Sequence, residues 1–443
     1  MQEWLRLSLL LCTFGFLKEI RPSEPFITEF LIGPWKNFTE EQVNRDILPV
    51  GTYSYTAQLI IVFLVTDFLK YKPLIIVLGL SGIVVWSIQL WTDSLLAVQI
   101  GGIFYGTCVA TEVAYFTYIY AKVEKKHFSK VTSHTRAAIL CGQFLAGSSG
   151  QLLIYMQWMD YRDLNYITLA TQILATVWAC FLPSVRTSVY FHRKVSVPSV
   201  EKRNSNEFHA SQHEVVARNS EKRNVLQVLW VPFKRAYTNR NVLIGSFWLI
   251  FGFCGYLQVI FYIQILWTMI NVEKIPMWNG AVEAGMTLLG ALSALGAGYI
   301  HSSLLTNRRY IVLLSSVAII NGLAIFLGAY IENLFVSYAA YLVFGVFYSF
   351  AGTVASAEIA KHLEDDSFGL VFGFNTFLSL VLQTILTVTV VNGVELTIFY
   401  QFYIYASYFV GLGIAYLVVF FMTLCSSNNK FGLNSLESPK LNQ

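Results

Sequence analysis

Apolar runs of about 20 residues recur along almost the whole chain, and few folds can accommodate that. A helix of this length crosses the roughly 30 Å hydrocarbon core of a bilayer. The runs are expected at 4–31, 48–69, 73–91, 95–121, 135–157, 164–184, 242–270, 277–301, 310–330, 335–360, 368–391 and 398–424. Composition points the same way. The chain is 55% hydrophobic and 13% charged, about half the charged share of a soluble globular protein. Too little polar surface is left to face water all round. The reading is an all-α membrane protein of about twelve transmembrane helices in two six-helix halves, with the lipid bilayer as its first partner.

The only long polar stretch inside the chain separates the halves. It divides the sequence into an amino-terminal half at 1–185, a central loop at 186–241, a carboxy-terminal half at 242–425 and a tail at 426–443. The early part of the loop has the composition of a solvated linker. Its later part, VLQVLWVPFKRAYTNR, is amphipathic enough for a short surface helix. No leader peptide is expected, because Leu5–Phe16 is followed by Lys18, Glu19, Arg21 and Pro22 rather than by small residues.

Loop charges give an orientation, since Lys and Arg collect on the cytoplasmic side. One set of short loops holds Lys70, Lys72, Lys122, Lys125, Lys126, Lys130, Arg136, Arg308, Arg309 and Lys361. The other holds Lys36, Arg45, Arg162 and Lys274. Ten against four places the first set, the central loop and both termini in the cytoplasm. The sequon Asn37-Phe38-Thr39 then falls in the first outer loop, as glycosylation requires.

Several chemistries find no support. The six cysteines lie apart in apolar runs, without the paired spacing of zinc sites or disulfide scaffolds. No phosphate-cradling loop or nucleophile elbow is evident. Neither a cofactor nor nucleic-acid binding is expected, and the chain does not read as an enzyme.

Ionisable groups at membrane depth are costly, so each is a candidate site. The first span carries Lys18, Glu19, Arg21 and Glu24 around Pro22. Proline breaks helices, and a broken charged helix suits either a binding segment or an internal salt-bridge set. Glu24 is the member favoured for function. Glu112 lies deep in the fourth span, with Cys108, Tyr115 and Phe116 on its face. A carboxylate among aromatics can hold a cation, or it can pair with a basic residue. Glu283 opens the eighth span and reads equally as site or gate. Glu358 lies near the cytoplasmic end of the tenth. Tyr256, Gln258, Tyr262 and Gln264 stripe the seventh span, and Gln383 interrupts the eleventh. Asp67 and Lys70, in TDFLKYKP, read as a gating latch or as ordinary positive anchoring, with Arg136 assigned to the same gate.

These motifs together resemble the reduced folate carrier and thiamine transporter family (solute carrier family 19). The matching segments are RPSEPF (21–26), GPWKNFTEEQV (33–43), ILPVGTYSY (47–55), TDFLKYKP (66–73), ATEVAYFTYIY (110–120), WNGAVEA (278–284), VFGFNTF (371–377) and QFYIYASYF (401–409). The resemblance implies a major facilitator superfamily-like fold, alternating access and a water-soluble vitamin as cargo. Folate carriers have an arginine in place of Glu112 and a lysine in place of Gln383, and their arginine in the tenth span is replaced by Gly345. The pocket has thus exchanged positive charge for negative, which suits thiamine, a cation. By resemblance Glu24, Glu112, Tyr115 and Asn279 contact substrate. One departure stands out: Leu48 and Gly51 replace aromatics of the thiamine branch, so that Trp278 is left to stack. Folate and pyridoxine stay open as cargo. A coupled proton, carried by Glu24 or Glu112, or a counter-anion is the expected further partner. A receptor that binds a vitamin without moving it is the alternative class.

Overall fold

A computed structural model describes residues 3–69, 71–123, 127–184, 233–273, 275–299, 307–363, 368–394 and 396–436, apart from some side chains within them. Most of the 186–241 loop therefore lies outside the described residues, although 233–238 forms a short helix. Described residues are overwhelmingly helical and include no strand.

The amino-terminal helices are α1 (Glu3–Glu19), α2 (Ile27–Ile32), α3 (Leu48–Phe68), α4 (Lys72–Trp91), α5 (Leu95–Lys122), α6 (Phe128–Tyr155) and α7 (Tyr161–Cys180). The carboxy-terminal ones are α8 (Arg240–Ile270), α9 (Asn279–Gly298), α10 (Asn307–Tyr330), α11 (Leu334–Lys361), α12 (Phe368–Leu386) and α13 (Ile398–Leu436). Nine of the helices among the described residues are long and apolar enough to cross a membrane. That count leaves out three expected spans: the broken first one, α3 and α7. Each is nevertheless helical at its expected place. The last helix runs to Leu436, well past the expected end at 424.

The first span breaks as its proline demands. The helix stops at Glu19, resumes as a 3₁₀ turn over Glu24–Phe26 and continues as α2. Backbone polar groups freed at membrane depth must be satisfied, and α7 supplies the partners. Gln172 Nε2 donates to Lys18 O (3.0 Å), Thr171 Oγ1 donates to Ile20 O (2.6 Å), and Thr168 Oγ1 accepts from Ser23 N (3.3 Å). Thr168, Thr171 and Gln172 of α7 thus each answer a group of the broken span.

Packing between halves uses α6 against α9 and α3 against α12. The first crossing is close enough for backbone to meet backbone. A Cβ on Gly147 would lie 2.6 Å from Gly280 O and 3.0 Å from Ala284 N. Small residues allow such an approach in membranes. Gly147→Val is therefore expected to cost about 1–3 kcal/mol through overpacking. A thermal melt of the purified protein in detergent reads that loss.

Hydrogen bonds between halves gather at the end bearing the 33–47 and 271–278 connections. Tyr53 Oη donates to Asn392 Oδ1 (3.0 Å), Asn392 Nδ2 to Arg45 O (3.3 Å), and Gln151 Nε2 to Met277 O (3.0 Å). Deeper, Thr56 Oγ1 meets Thr384 Oγ1 at 2.8 Å. This end is shut.

Candidate functional site

Behind the shut end lies a cavity of about 1080 Å³. Its lining runs from Leu31 and Ile47 down to Arg136, Ala360 and Phe372, near the opposite ends of α6, α11 and α12. Both halves contribute. A second cavity of about 550 Å³ shares Glu19, Arg21, Glu24, Tyr105, Arg136, Leu140 and Gln143 with the first. The two therefore form one branched space.

The break in the first span creates the charged wall. Lys18, only 1% exposed, pairs with both Glu19 and Glu112. Arg21 lies 3.4 Å from Glu24 and 3.9 Å from Glu19. It also sits 5.4 Å from the Trp86 ring centroid, a cation–π contact. Tyr105 Oη donates to Glu24 Oε1 (3.1 Å). This chain of alternating charge is the internal salt-bridge set that the sequence left as one option, and it recruits Glu112 as well. The Glu24 side chain remains 40% exposed to the cavity.

Glu283 enters from the other half. Tyr341 Oη donates to its Oε1 (2.9 Å), and no salt bridge reaches it among the described residues. It shares the cavity with Glu24 and lies near enough for the two charges to interact. Tyr256 and Tyr348 also line the cavity. They stack on each other at 4.0 Å with 9° between planes. Two half-buried rings and two carboxylates thus face one space. An organic cation with a flat ring would meet Coulomb attraction and a stacking surface there.

The other sequence candidates are placed differently. Tyr115 is fully buried, donates to Leu11 O (2.8 Å) and lies under the ion-pair cluster, with Lys18 Nζ 5.7 Å from its ring centroid. Its ring packs against α1 rather than on the cavity. Asn279 is fully buried at the shut end, donating to Pro25 O (3.1 Å) and Glu29 Oε1 (3.0 Å). Tyr262 and Gln383 are buried, and their side-chain polar atoms find no hydrogen-bond partner among the described residues. None of these four lines the cavity. Trp278 packs on Tyr155 at 5.5 Å, away from the cavity. Tyr105 fills the space beside Gly51, where a Cβ would lie 3.8 Å from its ring. Gln264 lines the cavity and donates to Glu24 O (3.1 Å), whereas Gln258 is buried against Tyr405. Glu358 pairs with Lys361 at 2.8 Å. Arg136 is exposed and lines both cavities. Lys70 and the Asp67 side chain lie outside the described residues.

A profile of the reduced folate carrier matches residues 2–404. The chain belongs to the reduced folate carrier family. Thiamine transporter 1 of Homo sapiens is 38% identical to this carrier, over 94% of this chain and 89% of that one. Reduced folate transporter of Homo sapiens is 34% identical, over 94% and 72% respectively. Among solved structures, the POT family transporter PepTSo superposes with a TM-score of 0.65 at 12% identity, covering 95% of this chain and 99% of that one. A D-xylose-proton symporter gives 0.61 at 14%, covering 94% and 97%. This carrier is therefore a multi-pass membrane protein with a major facilitator superfamily-like fold, in a family of membrane transporters.

Tyr105, Tyr348 and the Thr168/Thr171/Gln172 set were not singled out in the sequence. The spacing of Thr168, Thr171 and Gln172 on one face of α7 was a usable signal for the last. Nothing local marked Tyr348 among the many aromatics.

Proposed function

We propose that the protein carries thiamine across the plasma membrane by alternating access, with both termini in the cytoplasm. The observation that carries this reading is the charge of the cavity wall. Glu19, Glu24, Glu112 and Glu283 face it against Lys18, Arg21 and Arg136. Among the described residues acids exceed bases by one, and Glu283 is the acid without a basic partner. Thiamine's cationic ring would sit by Glu283 and Glu24, stacked on Tyr256 and Tyr348. Glu112 serves this site indirectly, by holding Lys18. The 38%-identical relative is named a thiamine transporter, which supports the same cargo. The shut end carries Asn37, which is exposed. With that end outside, the cavity opens to the cytoplasm, and rocking of the halves would expose the site to each side in turn.

Folate is the second reading. Lys18, Arg21 and Arg136 are cations on the wall, and a 34%-identical relative is named a reduced folate transporter. Uptake of radiolabelled thiamine and of folate into proteoliposomes decides between them. Saturable thiamine accumulation with folate at background is the expected result. Folate accumulation without thiamine would reject the charge argument. Thiamine bound but not accumulated would mark a receptor.

A further inference from the structure

One further acid of the first span, Glu29, sits at the shut end between the halves. Glu29 lies on α2, just beyond the break in the first span. Its Oε1 accepts hydrogen bonds from Thr268 Oγ1 of α8 (3.2 Å) and Asn279 Nδ2 of α9 (3.0 Å). One carboxyl group of the amino-terminal half is thus held by two elements of the other. Tyr338 Oη donates to Asn279 Oδ1 (2.7 Å), which turns the amide nitrogen toward Glu29 and Pro25 O.

The second oxygen is the anomaly. Glu29 Oε2 is shut off from solvent and has no hydrogen-bond partner among the described residues. Every other acid of the broken span is answered: Glu19 by Lys18, and Glu24 by Arg21. No Lys, Arg or His forms a salt bridge with Glu29 among the described residues. The titratable groups facing it are Tyr161 of α7 and Tyr338 of α11, neither of which brings a positive charge. A charged carboxylate in that place has no counter-charge and lacks half its hydrogen bonds. A neutral one keeps both bonds that Oε1 accepts, at much smaller cost.

We propose that Glu29 is a proton-binding site that latches the outer gate. With the proton bound, Glu29 joins α2 to α8 and α9 and the gate stays shut. When the halves part at this end, the carboxyl meets water and the proton leaves to the outer solution. By linkage, whatever state binds the proton better is favoured by the proton. Acid outside therefore favours the outward-closed form and alkali the outward-open one. The inference rests on alternating access but not on thiamine, and it is tested without substrate.

The test is the distance between spin labels at positions 91 and 272, both exposed at the outer end. The full-length protein is used in lipid nanodiscs, with exposed Cys141, Cys180 and Cys425 replaced by serine. Spectra are compared at about pH 5.5 and about pH 8.5, a window in which a buried carboxyl exchanges its proton. Without Glu29 substituted, the long-distance population is expected to rise at least about threefold with pH, since even 0.7 kcal/mol of linkage gives that ratio. Glu29→Gln keeps the short distance at both values, because the amide oxygen accepts the same two bonds and carries no charge. Glu29→Met, neutral and of similar volume, serves if the glutamine variant does not fold. A pH-independent distance in the unsubstituted protein, or an unchanged pH response in the neutral variants, overturns the proposal. Failure of thiamine uptake alone leaves it standing.

Discussion

Glu283→Gln is expected to weaken thiamine uptake by about 10- to 100-fold. The estimate follows from losing one charge-assisted interaction of about 1.5–3 kcal/mol in a partly desolvated site. Fold stability should hardly change, because Tyr341 Oη, now at 2.9 Å from the carboxylate, can donate equally to an amide oxygen. The loss should appear in the apparent affinity for thiamine, measured as the concentration dependence of initial uptake. By contrast Glu112→Gln should cost less. Lys18 would retain Glu19 as its partner, and the charge that Glu112 carries is already answered. Equal losses in the two variants would mean that the cation rests on the Glu112 side of the cavity.

Lys18→Met should be the most damaging single change to the fold. Lys18 is the common partner of Glu19 and Glu112, and Glu19 is almost fully buried. Removing the cation leaves two carboxylates facing each other with Arg21 as the nearest basic group. Breaking a buried pair in this way costs about 3–5 kcal/mol. The expected outcome is loss of monodisperse protein in detergent, or a melting temperature lowered by many degrees. The triple variant Lys18→Met/Glu19→Gln/Glu112→Gln should recover much of it, because no uncompensated charge remains. A melt of Lys18→Met indistinguishable from the parent would show that the cluster is wetted and contributes little.

The fold was readable because its causes are local. Apolar run lengths set the spans, and Pro22 set the break in the first helix. Where the expected boundaries failed, as at the end of α13, the residues near 426–436 are polar yet continue the helix. The site was readable only in part. Membrane-depth acids identified Glu24, Glu283 and Glu112 as candidates, but sequence cannot say which of them meets a counter-charge. Lys18 and Glu112 are 94 residues apart, and their pairing depends on how α1, packed against α6 and α7, directs Lys18 toward α5. The same holds for Tyr115, whose ring the fold turns toward α1, and for Asn279, which it places at the shut end. Tyr262 and Gln383 looked like cavity residues because polar groups in apolar helices often are. Here both are buried and line neither cavity. Glu29 lies inside the expected first span, but nothing local separates it from Glu19 and Glu24, and its isolation appears only once α8 and α9 are in place.

A structure determined with thiamine bound is the most direct test of the central claim. The account predicts density for the cationic ring between the Tyr256–Tyr348 stack and the carboxylates of Glu283 and Glu24, with the Lys18–Glu112 pair intact. Density beside Glu112 with that pair broken, or thiamine found outside the cavity, would contradict it.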